Sequence, residues 1–169
     1  MSEAAGEEKR VRDVMHPVGH FPRVGCRATL REAIRVLKQG GYPAVDLVLV
    51  TDNGHEGEEA IVGFLTPRQI VRGLEPEFFQ HEEAPVLWSG LFNELCERGL
   101  DKEVSEVMAP FPGSIHKNSS LIKALYLMDS LGTRRLAVSD GQDIVGVIAL
   151  ADIYEEVEEI SAQAANTDK

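Results

Sequence analysis

The sequence VGFLTPRQIV at residues 62–71 nearly recurs as VGVIALADIY at residues 145–154. Each copy contains Val-Gly, two large apolar residues, three further residues, one polar residue and then Ile. An apolar run that passes straight into a helix-starting segment predicts a corner between a strand and a helix. The polar residues differ between the copies, because Gln69 in the first corner aligns with Asp152 in the second.

The two corners belong to a longer repeat. VRDVMHP at residues 11–17 matches VSEVMAP at residues 104–110, and ATLREAIRVLKQGG at residues 28–41 matches SSLIKALYLMDSLG at residues 119–132. The last two segments predict short amphipathic helices that begin at Thr or Ser and end at Gly. Their predicted apolar faces are Leu30, Ala33, Ile34 and Leu37 in the first, and Leu121, Ala124, Leu125 and Met128 in the second.

Each of these helices is followed by two apolar runs with a turn between them. The turns are Asp-Asn-Gly at residues 52–54 and Ser-Asp-Gly at residues 139–141, both of which favour hairpins. Each repeat therefore predicts the order strand, helix, strand, hairpin turn, strand, helix.

The segment between the repeats includes VLWSGLFNELCERG at residues 86–99. It predicts a linker helix packed across the two repeats, and the alternative is an exposed helix that binds a partner. One helical face would carry Val86, Leu87, Leu91, Phe92, Leu95 and Cys96.

Composition limits the class of protein. A chain of 169 residues with 43% hydrophobic and 27% charged residues is typical of a soluble globular protein. The net charge of −11 argues against a broad nucleic-acid surface, and no apolar run approaches the ~20 residues of a membrane helix. We therefore expect no nucleic-acid and no membrane partner. The first residues lack an apolar signal core, and two cysteines make a poor disulfide framework, so a cytoplasmic location is expected.

Motifs of catalysis and metal binding are missing from the sequence. It contains neither a G-x-x-x-x-G-K-[ST] phosphate loop nor H-E-x-x-H. His16 and His20 are four residues apart, but Pro17 and Gly19 argue against one helix presenting both to a metal. We expect no enzyme activity, no metal site and no required cofactor.

Two copies of V-x-x-V-M-x-P, a helix that begins at Thr-Leu or Ser-Leu, a hairpin and G-h-h-x-x-x-[D/Q]-h resemble a tandem pair of CBS domains, or Bateman module. The family is named after cystathionine beta-synthase. The resemblance implies an α+β fold, in which two CBS domains, each a small three-stranded sheet with flanking helices, pack as a pseudo-symmetric pair. The implied divisions are an N-terminal tail at 1–10, a first domain at 11–74, a linker with a helix at 75–103, a second domain at 104–160 and a C-terminal tail at 161–169.

The resemblance also implies a function. Paired CBS domains are regulatory sensors whose clefts bind adenosine-containing ligands such as AMP, ADP, ATP or S-adenosylmethionine, and the pairs usually form disc-like homodimers. Without an attached catalytic domain, regulation would act in trans on an unidentified protein partner. The alternative is an interaction or dimerisation module whose ligand sites have decayed.

In the family's corner motif, G-h-h-[ST]-x-x-D, the hydroxyl contacts phosphate and the Asp accepts hydrogen bonds from both ribose hydroxyls. The N–H groups of a helix start favour an anion, and a charge-assisted hydrogen bond contributes roughly 1.5–3 kcal/mol. In the first corner Thr66, Pro67 and Gln69 form a complete helix start, which explains them without a ligand. In the second corner Ala149 is a poor helix cap, so a role in starting the helix explains Asp152 less well and ligand binding is favoured. Because Ala149 has no hydroxyl, the expected ligand makes little contact through phosphate.

The candidate ligand-binding residues follow from these positions. Gly113, Ser114 and Ile115 correspond to the strand that frames adenine in the family. The guanidinium groups of Arg134 and Arg135 suit phosphate oxygens, and the alternative is that these two residues only add surface charge. The preferred site, in the second repeat, comprises Asp152, Ala149, Gly113, Ser114, Ile115, Arg134, Arg135 and Leu136. The weaker site, in the first repeat, comprises Thr66, Gln69, Arg68, Arg23 and Val24.

The divided corners generate a binding prediction. Asp152→Ala is expected to weaken the binding of an adenosine ligand by about one to two orders of magnitude, because it removes a charge-assisted acceptor for the ribose hydroxyls. Gln69→Ala should have a much smaller effect, because its amide is neutral. Isothermal titration calorimetry with AMP measures both, and equal losses, or none for Asp152→Ala, would contradict the choice of the second corner.

Overall fold

The computed structural model describes residues 7–54, 57, 59–74 and 89–167. The chain forms two compact units: Phe21–Pro110, called here the first-repeat unit, and Met1–His20 with Phe111–Lys169, called the second-repeat unit. In chain order the elements are α1 (Val11–Val14), β1 (His16–Pro17), a 3₁₀ turn (Val18–His20), β2 (Arg23–Gly25), α2 (Leu30–Gln39), β3 (Val48–Asn53), β4 (Glu59–Leu65), α3 (Pro67–Leu74), α4 (Leu91–Gly99), α5 (Val104–Val107), β5 (Ser114–His116), α6 (Leu121–Leu131), β6 (Arg135–Asp140), β7 (Asp143–Ala149) and α7 (Leu150–Thr167).

Both repeats have the predicted order of elements. In the first-repeat unit the sheet order is β2-β3-β4, with β2 parallel to β3 and β4 antiparallel to it. The second-repeat unit has the equivalent strands β5, β6 and β7 in the same arrangement. This confirms the α+β fold of two CBS-like repeats.

The second sheet has a fourth strand, where the sequence predicted three. β1 pairs antiparallel with β7, with His16 opposite Val147 and Pro17 opposite Gly146. Each V-x-x-V-M-x-P segment therefore lies in the unit built from the other repeat. In the first-repeat unit, Ala109 exchanges two backbone hydrogen bonds with Phe64, at 2.9 and 3.1 Å.

The predicted helix starts are present. Thr29 Oγ1 accepts the N–H of Glu32 at 3.2 Å, and the Glu32 carboxylate accepts the N–H of Thr29 at 3.1 Å, which completes the capping box. Ser120 Oγ accepts the N–H of Lys123 at 3.3 Å. α6 ends at Gly132, which adopts the left-handed conformation (φ 60°) that glycine tolerates best.

Each unit has its own hydrophobic core, and most of the predicted apolar faces belong to it. Within the faces predicted for α2 and α6, Ile34 is the exception, because its side chain is exposed. In the first-repeat unit the core includes Leu30, Ala33, Leu37, Val48, Val50 and Leu65, and in the second-repeat unit it includes Leu121, Ala124, Met128, Leu136, Val138 and Ile148.

Two helices differ from their sequence predictions. α4 begins at Leu91, after Gly90 in a left-handed conformation, and Phe92 is 70% exposed although the pattern placed it on the apolar face. The segment 75–88, with the predicted helix start at Val86, lies outside the described residues. α7 continues to Thr167, into the segment predicted as a C-terminal tail.

Steric crowding explains why each of the two Val-Gly pairs contains glycine. A Cβ atom added at Gly63 would lie 2.5 Å from the carbonyl oxygen of Ala109, and one added at Gly146 would lie 2.6 Å from that of His16. Both distances are far shorter than a carbon and an oxygen tolerate. Each corner strand therefore needs glycine where the neighbouring V-x-x-V-M-x-P backbone crosses it.

Gly63→Ala and Gly146→Ala are each expected to destabilise the protein by about 1–3 kcal/mol, because the added methyl group forces the crossing backbone away. Gly25→Ala is the matched control, since nothing lies within 4 Å of an added Cβ there. Urea unfolding monitored by circular dichroism measures all three. Wild-type stability in both corner variants would show that the close crossing does not constrain the fold.

Candidate functional site

The second corner places a carboxylate at the start of the longest helix. β7 ends at Ala149 and α7 begins at Leu150. Asp152 Oδ2 accepts the N–H of Ala149 at 2.7 Å, and Asp152 Oδ1 lies 3.0 Å from His16 Nε2. Because an ionised carboxylate only accepts hydrogen bonds, His16 is the donor. Asp152 is 8% exposed, so both of its oxygens contact protein groups in a nearly buried position.

The first corner makes the same local bond with an amide. Gln69 Oε1 accepts the N–H of Thr66 at 2.7 Å. The sequence argument that only the first corner had kept its helix-starting residues was therefore wrong. A side chain at the third helical position can accept the N–H of the cap residue whatever that residue is, so Ala149 does not prevent Asp152 from closing its helix start.

His16 is the functional candidate that the sequence did not assign to this corner. It follows Met15, at the position that Ala109 occupies after Met108. Its imidazole stacks on that of His20, with ring centroids 4.5 Å apart and planes at 21°, and its side chain is 44% exposed. From the sequence, His16 and His20 could be considered only as metal ligands. Nothing in the sequence pattern predicts that the V-x-x-V-M-x-P segment containing His16 packs against the other repeat.

The predicted second-repeat residues differ in what they can offer. Arg135 lies opposite Ala149 in the β6–β7 ladder, and the carbonyl of Arg134 accepts the N–H of Leu150 at 2.9 Å, so both lie beside the corner. Ser114 is exposed on β5. The side chains of Ile115 and Leu136 belong to the core, and both residues are paired in the strand ladders of the sheet.

Gly113 precedes β5 and is held on both sides. Its carbonyl accepts the N–H of Ala137 at 3.3 Å. An added Cβ would lie 2.6 Å from Leu131 Cδ1, so the position admits no side chain without a shift. Gly113 can therefore offer backbone atoms only.

The first-repeat residues are spread around their own corner. Thr66 is buried at the end of β4, and the side chain of Val24 belongs to the core. Arg23 forms an ion pair with Glu59 at 3.3 Å. Arg68 is exposed and borders a surface cavity of about 530 Å³ with Pro67, Val71 and Arg72.

Gln69 borders another cavity, of about 410 Å³, which is within the range of small-molecule sites. Lys102, which lines this cavity, donates hydrogen bonds to the carbonyls of Gly73 and Leu74, at 2.9 and 3.5 Å. It thereby caps the end of α3. The lining residues are Gln69, Arg72, Gly73, Lys102, Glu106, Val107 and Ala109.

Among the described residues, the His, Cys, Asp and Glu side chains bear on metal binding and on thiol chemistry. Across the described ranges, no cluster of three or more His, Cys, Asp and Glu side chains could hold a metal ion. Burial raises the pKa of the Cys26 thiol, and the carboxylate of Asp52 raises it further, so this thiol stays protonated at neutral pH.

None of the helices in the described part of the chain has the length and apolar character to cross a membrane.

The CBS domain family model matches residues 11–76 and 104–159, which together make up most of the chain. The chain belongs to the CBS domain family. No curated protein matches this CBS pair in a sequence search.

Solved structures of other CBS pairs have the same fold. CBSX2 from Arabidopsis thaliana is 19% identical, with a TM-score of 0.64 over 92% of this chain and 98% of CBSX2. A crystal structure of CBSX2 in complex with AMP is 20% identical, with a TM-score of 0.61 over 90% of this chain and 98% of that one. The CBS domain of a CBS domain containing membrane protein from Sphaerobacter thermophilus is also 20% identical, with a TM-score of 0.63 over 88% of this chain and 87% of that one.

Proposed function

We propose that this CBS pair is a regulatory module that binds an adenosine-containing ligand and acts on a protein partner in response. The observation that carries the proposal is the Asp152 carboxylate at the start of α7, at the corner position where the family motif has a ribose-binding Asp. The similarity to CBSX2, whose crystal structure includes AMP, supports this class of ligand.

The second corner has groups for each part of such a ligand. The carboxylate can accept the two hydroxyls of a ribose, and the N–H groups of the first turn of α7 suit a phosphate. Arg134 and Arg135 lie beside this turn and add positive charge. Because Ala149 has no hydroxyl, we propose a ligand with few phosphate contacts, such as AMP or S-adenosylmethionine, ahead of ADP or ATP.

The first corner is the weaker proposed site. Gln69 has no charge, so its hydrogen bonds to a ribose gain less than those of a carboxylate. Its support is the cavity of about 410 Å³ beside it, whose lining includes Arg72 and Lys102.

The competing function is an interaction module without a ligand. It is favoured by the hydrogen bonds of Asp152, because both of its oxygens already accept N–H groups of the protein. The two functions differ in a single observable property, which is whether an adenosine ligand stabilises the folded protein.

A ligand of the second corner is expected to raise the melting temperature. At 100 times its dissociation constant, a bound ligand adds about 2.7 kcal/mol to the free energy of unfolding. Differential scanning fluorimetry with AMP, ADP, ATP and S-adenosylmethionine measures the shift. Asp152→Asn is the matched variant, because its amide oxygen can still accept the N–H of Ala149 while the charge is lost, and it should reduce the shift. No shift with any of the four ligands at millimolar concentration favours the ligand-free interaction module.

We also propose that the protein forms homodimers through an apolar surface of the second-repeat unit. α6 and α7 pack against each other, and both expose large apolar side chains. Tyr126 on α6 is 72% exposed, and Tyr154 on α7 is 60% exposed. The exposed apolar side chains that we assign to this interface are Ile122, Tyr126, Leu150, Tyr154, Val157 and Ile160. Exposed apolar patches of this kind are typical of sites where another protein binds.

Tyr126→Glu and Tyr154→Glu are expected to convert the dimer to a monomer, because each places a charge in a surface that the second copy would bury. Light scattering coupled to size exclusion measures the mass. Phe92→Glu is the control, because Phe92 is exposed on α4 of the first-repeat unit. A wild-type protein that is monomeric at high micromolar concentration would contradict the proposal.

A further inference from the structure

The two corners differ in a second residue besides the Asp–Gln exchange. In the second corner His16 lies on the carboxylate of Asp152, with its Nε2 3.0 Å from Oδ1. In the first, the equivalent residue is Ala109, which has only a methyl group and lines the cavity beside Gln69. The carboxylate and the imidazole thus occur at the same corner.

The position of His16 is fixed by its backbone. β1 is hydrogen-bonded to β7, with His16 opposite Val147, and the close crossing at Gly146 leaves no space to shift it. Its side chain is 44% exposed, so the imidazole can rotate toward solvent without breaking the ladder. The chain between Met15 and Leu30 is two residues longer than its counterpart in the second repeat, and it includes His20, whose ring stacks on His16.

The two hydrogen bonds of Asp152 differ in how easily they can be released. The bond from Ala149 to Oδ2 closes the start of α7, so losing it would leave a backbone N–H unsatisfied at the helix end. The bond from His16 to Oδ1 involves a half-exposed side chain that water can solvate after it leaves. His16 is therefore the donor that an incoming group can replace.

We propose that His16 is an internal competitor for ligands of the second corner. A ribose diol that donates to Asp152 displaces the imidazole from Oδ1, so the His16 contact raises the ligand concentration that the module needs. The inference rests on the proposed adenosine-binding function, and it identifies the residue that sets the affinity of that site. Displacement of the ring also alters its stacking on His20, which carries the change into the 3₁₀ turn at Val18–His20.

His16→Ala tests the competition, because alanine is the residue at the equivalent position, Ala109. It should bind AMP and adenosine about two- to fivefold more tightly than the wild type, as expected when a partly exposed charge-assisted bond no longer has to be broken. His16→Gln is the matched control, since its amide N–H can still donate to Asp152, and its affinity should stay near that of the wild type. In an Asp152→Asn background the gain from His16→Ala should largely disappear.

Isothermal titration calorimetry measures the affinities, and the imidazole NMR signals of His16 report displacement directly. Equal or weaker binding by His16→Ala would overturn the competition while leaving the proposed function in place. An equal gain in His16→Ala and His16→Gln would also overturn it, because ring size rather than the hydrogen bond would then set the affinity. If neither the wild type nor His16→Ala binds AMP or adenosine at millimolar concentration, the proposed function fails, and the competition fails with it.

Discussion

The close crossing of backbones at Gly63 and Gly146 is the constraint on which each unit depends. A Cβ atom added at either position would lie only 2.5–2.6 Å from a carbonyl oxygen, so packing requires glycine in each Val-Gly pair. The crossing holds each V-x-x-V-M-x-P segment against the corner strand of the other repeat. It therefore explains why the compact units do not coincide with the linear repeats.

The same crossing determines what surrounds each corner. In the second-repeat unit it brings His16 to Asp152, and in the first-repeat unit it brings Ala109 next to Gln69 and its cavity. The same backbone crossing therefore leaves the Asp152 carboxylate in contact with His16 and the Gln69 amide beside a cavity. Because a V-x-x-V-M-x-P backbone crosses the corner strand in both units, the contrast between a carboxylate corner and an amide corner comes from their side chains.

Much of this fold could be predicted from the sequence, because its signals are local. The capping box of Thr29 and Glu32, the end of α6 at Gly132 and the turn at Gly141 between β6 and β7 each depend on neighbouring residues. The role of His16 could not be predicted in the same way, since its contact with Asp152 joins residues far apart in the chain. Ala149 alone does not predict the start of α7, because the group that accepts its N–H belongs to Asp152, three residues further on.

The central claim is that the Asp152 corner receives an adenosine-containing ligand. The most direct measurement is a titration of ¹⁵N-labelled protein with AMP, followed by two-dimensional NMR. The account predicts that the largest shifts occur at the amides of Ala149, Leu150 and Asp152 and at the imidazole of His16. Shifts concentrated at Thr66 and Gln69, or no shifts at millimolar AMP, would contradict it.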